Sequence, residues 1–260
     1  MIFQDQLNRI IQVNFPPQRI ISLVPSQTEL LYDLGLREEV VGITKFCVHP
    51  EDWFRTKTRI GGTKQLNLER IESLAPDLII ANREENNKEQ IEYLASKFPV
   101  WVSDIVTFED ALEMIRKVGN LVNQSIEAKH LIRQIIHRKS IYIRPSTPPR
   151  VAYFIWRKPY MIAANDTYIN EMLKLYGATN VFEHLTRYPE IEVNDLKSME
   201  IDMIFLASEP YPFQAKHLEE FSRICPNASV LLVDGELFSW YGSRMLKAFS
   251  YFAALSNQTS

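Results

Sequence analysis

The chain has 260 residues, 46% of them apolar and 23% charged, which suits one large globular domain or two of ordinary size, each with a real core. A net charge of −3 and no basic stripe exclude nucleic acid as the main partner, because phosphate binding needs clustered Lys and Arg. Eight glycines fall well below the usual 7% or so and argue against a Gly-rich phosphate loop; two cysteines, Cys47 and Cys225, exclude a disulfide framework.

In chain order, a short extended arm ends at Pro16-Pro17, and "RIISLV" (19–24) reads as a buried strand. In "PSQTELLYDLGL" Ser26 and Glu29 form a capping box, Leu30, Leu31 and Leu34 an apolar stripe, and Gly35 a helix end. "VVGIT" is a strand, "LERIESLAP" a helix closed by Pro76, "DLIIA" a strand, "KEQIEYLASKF" a helix and "VWVSD" a strand. This alternation implies a mostly parallel sheet covered on both faces. Thr107 and Asp110 open a helical run to Val122. Asn123-Gln124-Ser125 interrupt it, and residues 126–143 continue at helical period until Pro145, Pro148 and Pro149. Alternation then resumes: "RVAYFIW" strand, "TYINEMLKLYG" helix, "VNDLKSME" helix, "DMIFLA" strand, "KHLEEFSRI" helix, "SVLLVD" strand and "SRMLKAFSYFAAL" helix.

Two stretches repeat. "LERIESLAPDLIIA" (68–81) is echoed by "VNDLKSMEIDMIFLA" (193–207), with Asp77 over Asp202; "TELLYDLG" (28–35) is echoed by "NEMLKLYG" (170–177), with Glu29 over Glu171 and Gly35 over Gly177. Two matches in the same order, on either side of an unpaired helix, imply a duplicated α/β lobe. The expected division is a first lobe at 1–122, a connecting helix and linker at 123–149 and a second lobe at 150–260, with a cleft between the lobes.

No dinucleotide, P-loop, metalloprotease or nucleophile-elbow motif occurs, and the histidines at 49, 130, 137, 184 and 217 lack zinc-ligand spacing. Cys47-Val48-His49 is too small a set to hold a metal. Adjacent acids such as Glu84-Glu85 and Glu219-Glu220 read as solvated faces. Neither a bound metal nor a cofactor is expected, and an enzyme is the weaker reading. What stands out are five loops rich in aromatics beside Arg or acid: "KFCVHPEDWF", "IWRKPYM", "TRYPEIE", "SEPYPF" and "DGELFSWYGSRM". All follow strands, where doubly wound sheets bind ligands, and rings there offer flat apolar area with few rotamers to freeze. Arg157 and Arg244 are suited to grip carboxylate, amide or phosphate groups.

"RIISLVPSQTELLYDLGLREEVVGIT", "LNLERIESLAPDLIIA", "YPEIEVNDL" and "DGELFSWYGSRM" together resemble the substrate-binding proteins of vitamin B12 and iron-siderophore ABC importers, the vitamin B12-binding proteins most of all. The resemblance spans about Arg19 to Leu255. It implies an α/β, class III periplasmic-binding-protein fold of two Rossmann-like lobes joined by a single long backbone helix. It also implies a monomer that holds a metal chelate and releases it unaltered. The ligand implied is cobalamin or a related corrinoid; a ferric siderophore or haem is the alternative, met by Arg83, Arg157, Arg187 and Arg244. A two-lobed enzyme, a chelatase or a glycosyltransferase-like protein, is the reading from another class. By the resemblance Phe46 stands for a ligand-facing tyrosine and Tyr188 for a tryptophan, and the Trp240 loop touches the ligand. The full expected contact set is Phe46, Lys64, Arg83, Trp156, Arg157, Tyr188, Tyr211, Phe213, Trp240, Tyr241 and Arg244. Thr63 and Asn82 replace two aromatics of the B12-binding proteins, which makes the cleft less apolar. Glu69 matches a glutamate that docks on the permease of the ABC transporter. Its second-lobe counterpart is Asn194, with Glu192 and Asp195 beside it. The resemblance places the protein in the periplasm or on the cell surface. The N-terminal residues carry no export signal, so a cytoplasmic protein is the alternative expectation.

Overall fold

The computed structural model describes residues 1–259. The chain packs as two compact units that are not contiguous in sequence: the first takes Met1–Ile105, Glu109–Ile136 and Tyr241–Arg244, and the second Val106–Phe108, His137–Trp240 and the chain from Met245. The expected boundaries at 122 and 149 are therefore not where these units divide, because packing rather than chain order assigns a segment.

The first unit begins with a hairpin the sequence reading missed, β1 (Ile2–Gln4) against β2 (Ile10–Gln12). There follow β3 (Ile20–Ser22), α1 (Pro25–Asp33), β4 (Val40–Ile43), α2 (Glu51–Thr56), β5 (Thr58–Arg59), α3 (Leu68–Ser73), β6 (Leu78–Asn82), α4 (Lys88–Ala95), β7 (Val100–Ser103), α5 (Phe108–Leu121) and α6 (Ser125–Ile141), of which Phe108 and the α6 residues from His137 on belong to the second unit. The five strands after the hairpin are all parallel, in the order β5-β4-β3-β6-β7. That is the doubly wound order, whose reversal point lies between β3 and β6. β3, β6 and β7 are buried along their whole length, as unbroken runs such as "LIIAN" and "VWVS" require. Asn67 and Asn87 cap α3 and α4 by accepting the amides of Arg70 and Gln90. The expected Ser26 box is absent: α1 begins at Pro25 with no side-chain cap, since Pro is preset for the first helical position and Glu29 is engaged elsewhere.

The second unit runs β8 (Arg150–Trp156), β9 (Tyr160–Ile162), α7 (Tyr168–Tyr176), β10 (Thr179–Asn180), β11 (Glu190–Ile191), α8 (Val193–Leu196), β12 (Met203–Ala207), α9 (Ala215–Ile224), β13 (Ser229–Val233), α10 (Glu236–Ser239) and α11 (Met245–Thr259). β8, β12 and β13 are parallel neighbours, while β9 and β11 add an antiparallel edge. Phe154, Phe213 and Phe221 anchor its aromatic core. No helix among the described residues is long and apolar enough to cross a membrane.

The echo in the sequence has a physical basis. In the first unit the Asp77 carboxylate accepts the amides of Gln18 and Arg19 at 2.7 and 2.8 Å, and the Arg19 guanidinium donates to the Leu74 carbonyl at the end of α3. In the second, Asp202 accepts the Arg150 amide at 2.7 Å, and Arg150 donates to the Glu200 carbonyl. Each unit thus clips the start of its first buried strand to the helix–strand turn beside it. Gly35 and Gly177 end equivalent helices at φ +96° and +98°, a conformation that costs glycine little. The matched glutamates on those helices both hold a segment far away in the chain. Glu29 binds Arg244 in the first unit, and Glu171 accepts the Phe108 amide at 3.3 Å in the second.

Candidate ligand-binding surfaces

In the first unit the loops leaving β4, β5, β6 and β7 gather at the carboxyl edge of the sheet. Phe46 is 51% exposed there, with Lys45 Nζ 5.0 Å from its ring centre. Gly62 leaves room for the ring: a Cβ at that position would stand 3.1 Å from Phe46 Cε2. Lys64 is exposed and donates to the Glu84 carbonyl; Arg83 is exposed and paired with Asp104 at 2.7 Å. The hydrogen bond that Arg83 donates to Asp104 raises the Arg83 pKa above its ordinary value, so the guanidinium stays charged. Phe46, Lys64 and Arg83 thus sit on adjacent loops, with Lys45 as a member the sequence reading missed.

A buried polar base fixes those loops. Asn82, 2% exposed at the end of β6, accepts the amides of Glu84 and Glu85 at 2.8 and 2.9 Å and donates to Ser103 Oγ at 3.0 Å. Asn86 accepts the Asn82 amide and donates to the carbonyls of Leu23 and Thr63, and Gln27 donates to Ser103. Asn82 and Thr63, expected as cleft residues, are buried, and Asn82 holds backbone in place. Only its position after a buried strand signalled such a role, since Asn readily bonds neighbouring amides.

In the second unit Trp156 ends β8 at 39% exposure, its ring edge-on to half-buried Tyr211 at 5.7 Å. Tyr211 packs in turn on Phe213 at 4.8 Å and on the His217 ring at 5.6 Å. His217 opens α9: its Nδ1 accepts the Gln214 amide at 2.9 Å, and burial holds its pKa below the ordinary value. Arg157 is committed to Glu220 at 2.9 Å, and Tyr160 donates to the same carboxylate; desolvation and that hydrogen bond push the Tyr160 hydroxyl up to about 12. Tyr188 is half-buried, with the Arg187 guanidinium 5.6 Å from its ring centre.

Four expected contacts are buried. Phe213 is 5% exposed and part of the core. Trp240, 7% exposed, donates its indole N–H to Glu209 at 2.8 Å, and Ser239 donates to the same carboxylate oxygen. Tyr241 is 7% exposed. Arg244 meets Glu29 through two bonds of 2.7 and 2.8 Å, with side-chain exposures of 7% and 10%. "FSWYGSR" reads as a ligand loop because aromatics beside arginine suit a ligand; a buried acid and a packed helix suit them equally, and burial decides. Among the described residues no group of three or more His, Cys, Asp or Glu is placed to hold a metal ion. Of the expected docking residues, Glu69 is exposed in the first turn of α3, Asn194 is exposed on α8, and Asp195, exposed there as well, accepts the Glu192 amide at 3.3 Å.

A doubly wound sheet in one unit and a mixed sheet in the other, with aromatic and basic side chains after their strands, make an α/β fold suited to binding a ligand. The model of the Periplasmic binding protein family matches residues 20–223, and the chain belongs to that family. It is 26% identical over 196 residues to the vitamin B12-binding protein of Vibrio cholerae, covering 74% of this chain and 71% of that protein. The crystal structure of the V. cholerae periplasmic vitamin B12-binding protein superposes with a TM-score of 0.80 at 22% identity, covering 95% of this chain and 99% of the other. The periplasmic haem-binding protein of Roseiflexus sp. RS-1 gives 0.79 at 19% identity, covering 94% and 99%. Identities this low speak for the fold. The family is one of binding proteins.

Proposed function

We propose that the protein is a non-catalytic receptor for a bulky metal chelate, cobalamin or a related corrinoid, which it delivers to an ABC importer. The observation that supports this reading is the pair of exposed aromatic surfaces at strand carboxyl ends, Phe46 in one unit and Trp156 with Tyr211 in the other. Phe46, packed beside Gly62, and Trp156, packed edge-on to Tyr211, are large rings left in water at 51% and 39% exposure. Rings held this way lose little entropy on contact with a flat macrocycle and give it apolar area to cover. The similarity to a vitamin B12-binding protein points to the corrinoid. Lys45 over Phe46, with Lys64 and Arg83 on the loops of the same sheet edge, favours a second reading, an anionic chelate such as haem or a ferric siderophore, since cations there would stabilise its carboxylates. The metal would arrive inside its chelator. Glu69 on α3, with Asn194 and Asp195 on α8, would dock on the importer, and the site of action would be the periplasm or the cell surface.

Thermal unfolding and tryptophan fluorescence, measured with cyanocobalamin, haem and a ferric siderophore in turn, test both readings. Cyanocobalamin should raise the melting temperature and quench the emission of Trp156. A response to haem or the siderophore alone would replace the first reading with the second. No response to any of the three would refute the proposal.

A further inference from the structure

We infer that the second unit carries a second functional surface, one that docks on an anionic lipid membrane, at the end of α6 and the loop that follows it. Residues 128–165 contain eight lysines and arginines and no acid, leaving twenty-one such cations against thirty-two acids in the rest of the chain. A protein of net charge −3, read above as lacking a basic stripe, therefore holds an acid-free segment in which, among the described residues, only Arg150 and Arg157 are paired with acids from elsewhere, Glu200 and Glu220. Within it α6 ends in Arg138-Lys139-Ser140-Ile141, and Tyr142-Ile143-Arg144 follows.

Packing turns that segment outward. Tyr142 points in: its hydroxyl donates to the Tyr176 carbonyl at 2.9 Å, and its ring lies 6.0 Å from both Phe249 and Phe252 of α11. With Tyr142 anchored, its two neighbours are left in water, Ile141 at 56% and Ile143 at 86% exposure. Arg144 is held by its stem, since a Cβ on Gly177 would stand 3.0 Å from the Arg144 Cβ, while the residue as a whole is exposed. Arg138 is exposed as well. Among the described residues neither guanidinium has an ion-pair or hydrogen-bond partner. Beside them runs a groove of about 530 Å³ between the α6 end and α11, lined by Ile141, Phe249 and Ala253 among others, with Arg138 and Arg144 and, among the described residues, no acid at its walls.

Two exposed isoleucines flanked by unpaired cations, over a groove without acid, match the interface of a bilayer with anionic headgroups. The apolar side chains enter the acyl boundary while the cations meet phosphate. A second copy of the chain would bring like charge to like charge. The surface lies entirely within the second unit and does not depend on the chelate reading.

The test is flotation of the full chain, without chelate, with vesicles of phosphatidylethanolamine and phosphatidylglycerol, compared with vesicles of phosphatidylcholine. Binding should favour the anionic vesicles at least tenfold and weaken as salt rises. The R138Q/R144Q variant should lose that preference, and Ile143→Ser should weaken binding to anionic vesicles several-fold. Both variants change exposed side chains, and an unaltered circular dichroism melt checks that each still folds. Equal binding to both vesicle types, no binding to either, or unchanged binding by R138Q/R144Q would overturn the inference. So would capture of poly-glutamate through Arg138 and Arg144 without any affinity for vesicles, which would make the surface a site for acidic protein.

Discussion

Replacing Arg244 separates a ligand grip from a structural one. The Arg244 guanidinium and the Glu29 carboxylate meet at two points, 2.7 and 2.8 Å, with both side chains nearly buried. Arg244→Met leaves Glu29 as a buried charge without its main counter-ion, and breaking such a pair costs about 3–5 kcal/mol. At about 2–4 °C per kcal/mol for a domain of 150–250 residues, the melting temperature should fall by roughly 6–20 °C. The double variant Glu29→Met/Arg244→Met removes both charges. It should recover most of the loss, because a packed apolar pair often matches a buried ion pair. Circular dichroism melts of wild type, both singles and the double form a thermodynamic cycle that reads the coupling directly. If Arg244→Met melts like wild type but binds its chelate more weakly, Arg244 is a ligand contact and the structural assignment is wrong.

Three further outcomes are expected. Phe46→Ala should lower chelate affinity by about 1–2 kcal/mol, in titration calorimetry, with an unchanged melt, because the ring is half in water; a large loss of stability would place Phe46 in the core instead. Glu69→Ala should leave chelate affinity intact and reduce ligand-stimulated ATP hydrolysis by the partner importer, so a fall in affinity would remove the docking role. His217 caps α9 as a neutral ring, and burial lowers its pKa in the folded state. The unfolded chain therefore binds more protons below about pH 6.5, and stability should fall as pH drops through that value and level off above it. His217→Gln should flatten that part of the urea midpoint profile; an unchanged profile would assign the acid sensitivity to other groups.

The alternation of short apolar runs with helical periods was enough to place nearly every main strand and helix, since a strand buried on both faces must be apolar throughout and a covering helix apolar on one side. Internal repetition marked the duplicated unit as well, and Asp77 with Asp202 shows why: the same carboxylate clips the same turn in each unit. Short elements such as β1, β9 and α10 escaped, being three or four residues long with no period to read. Phe46, Trp156 and Tyr211 were singled out from loops that follow strands, and Lys64 and Arg83 were added to the same expected set; all five lie at least partly at the surface. Phe213, Trp240, Tyr241 and Arg244 occupy similar positions and were read the same way, yet they are buried. A ring or guanidinium suits a ligand and a core equally well, so residue type cannot separate them. The sequence by itself determined the order of strands and helices and the type of side chain at each loop. Only the tertiary structure decided which of those side chains meet a partner within their own unit, because the Glu29 that claims Arg244 lies 215 positions away and no local pattern links the two.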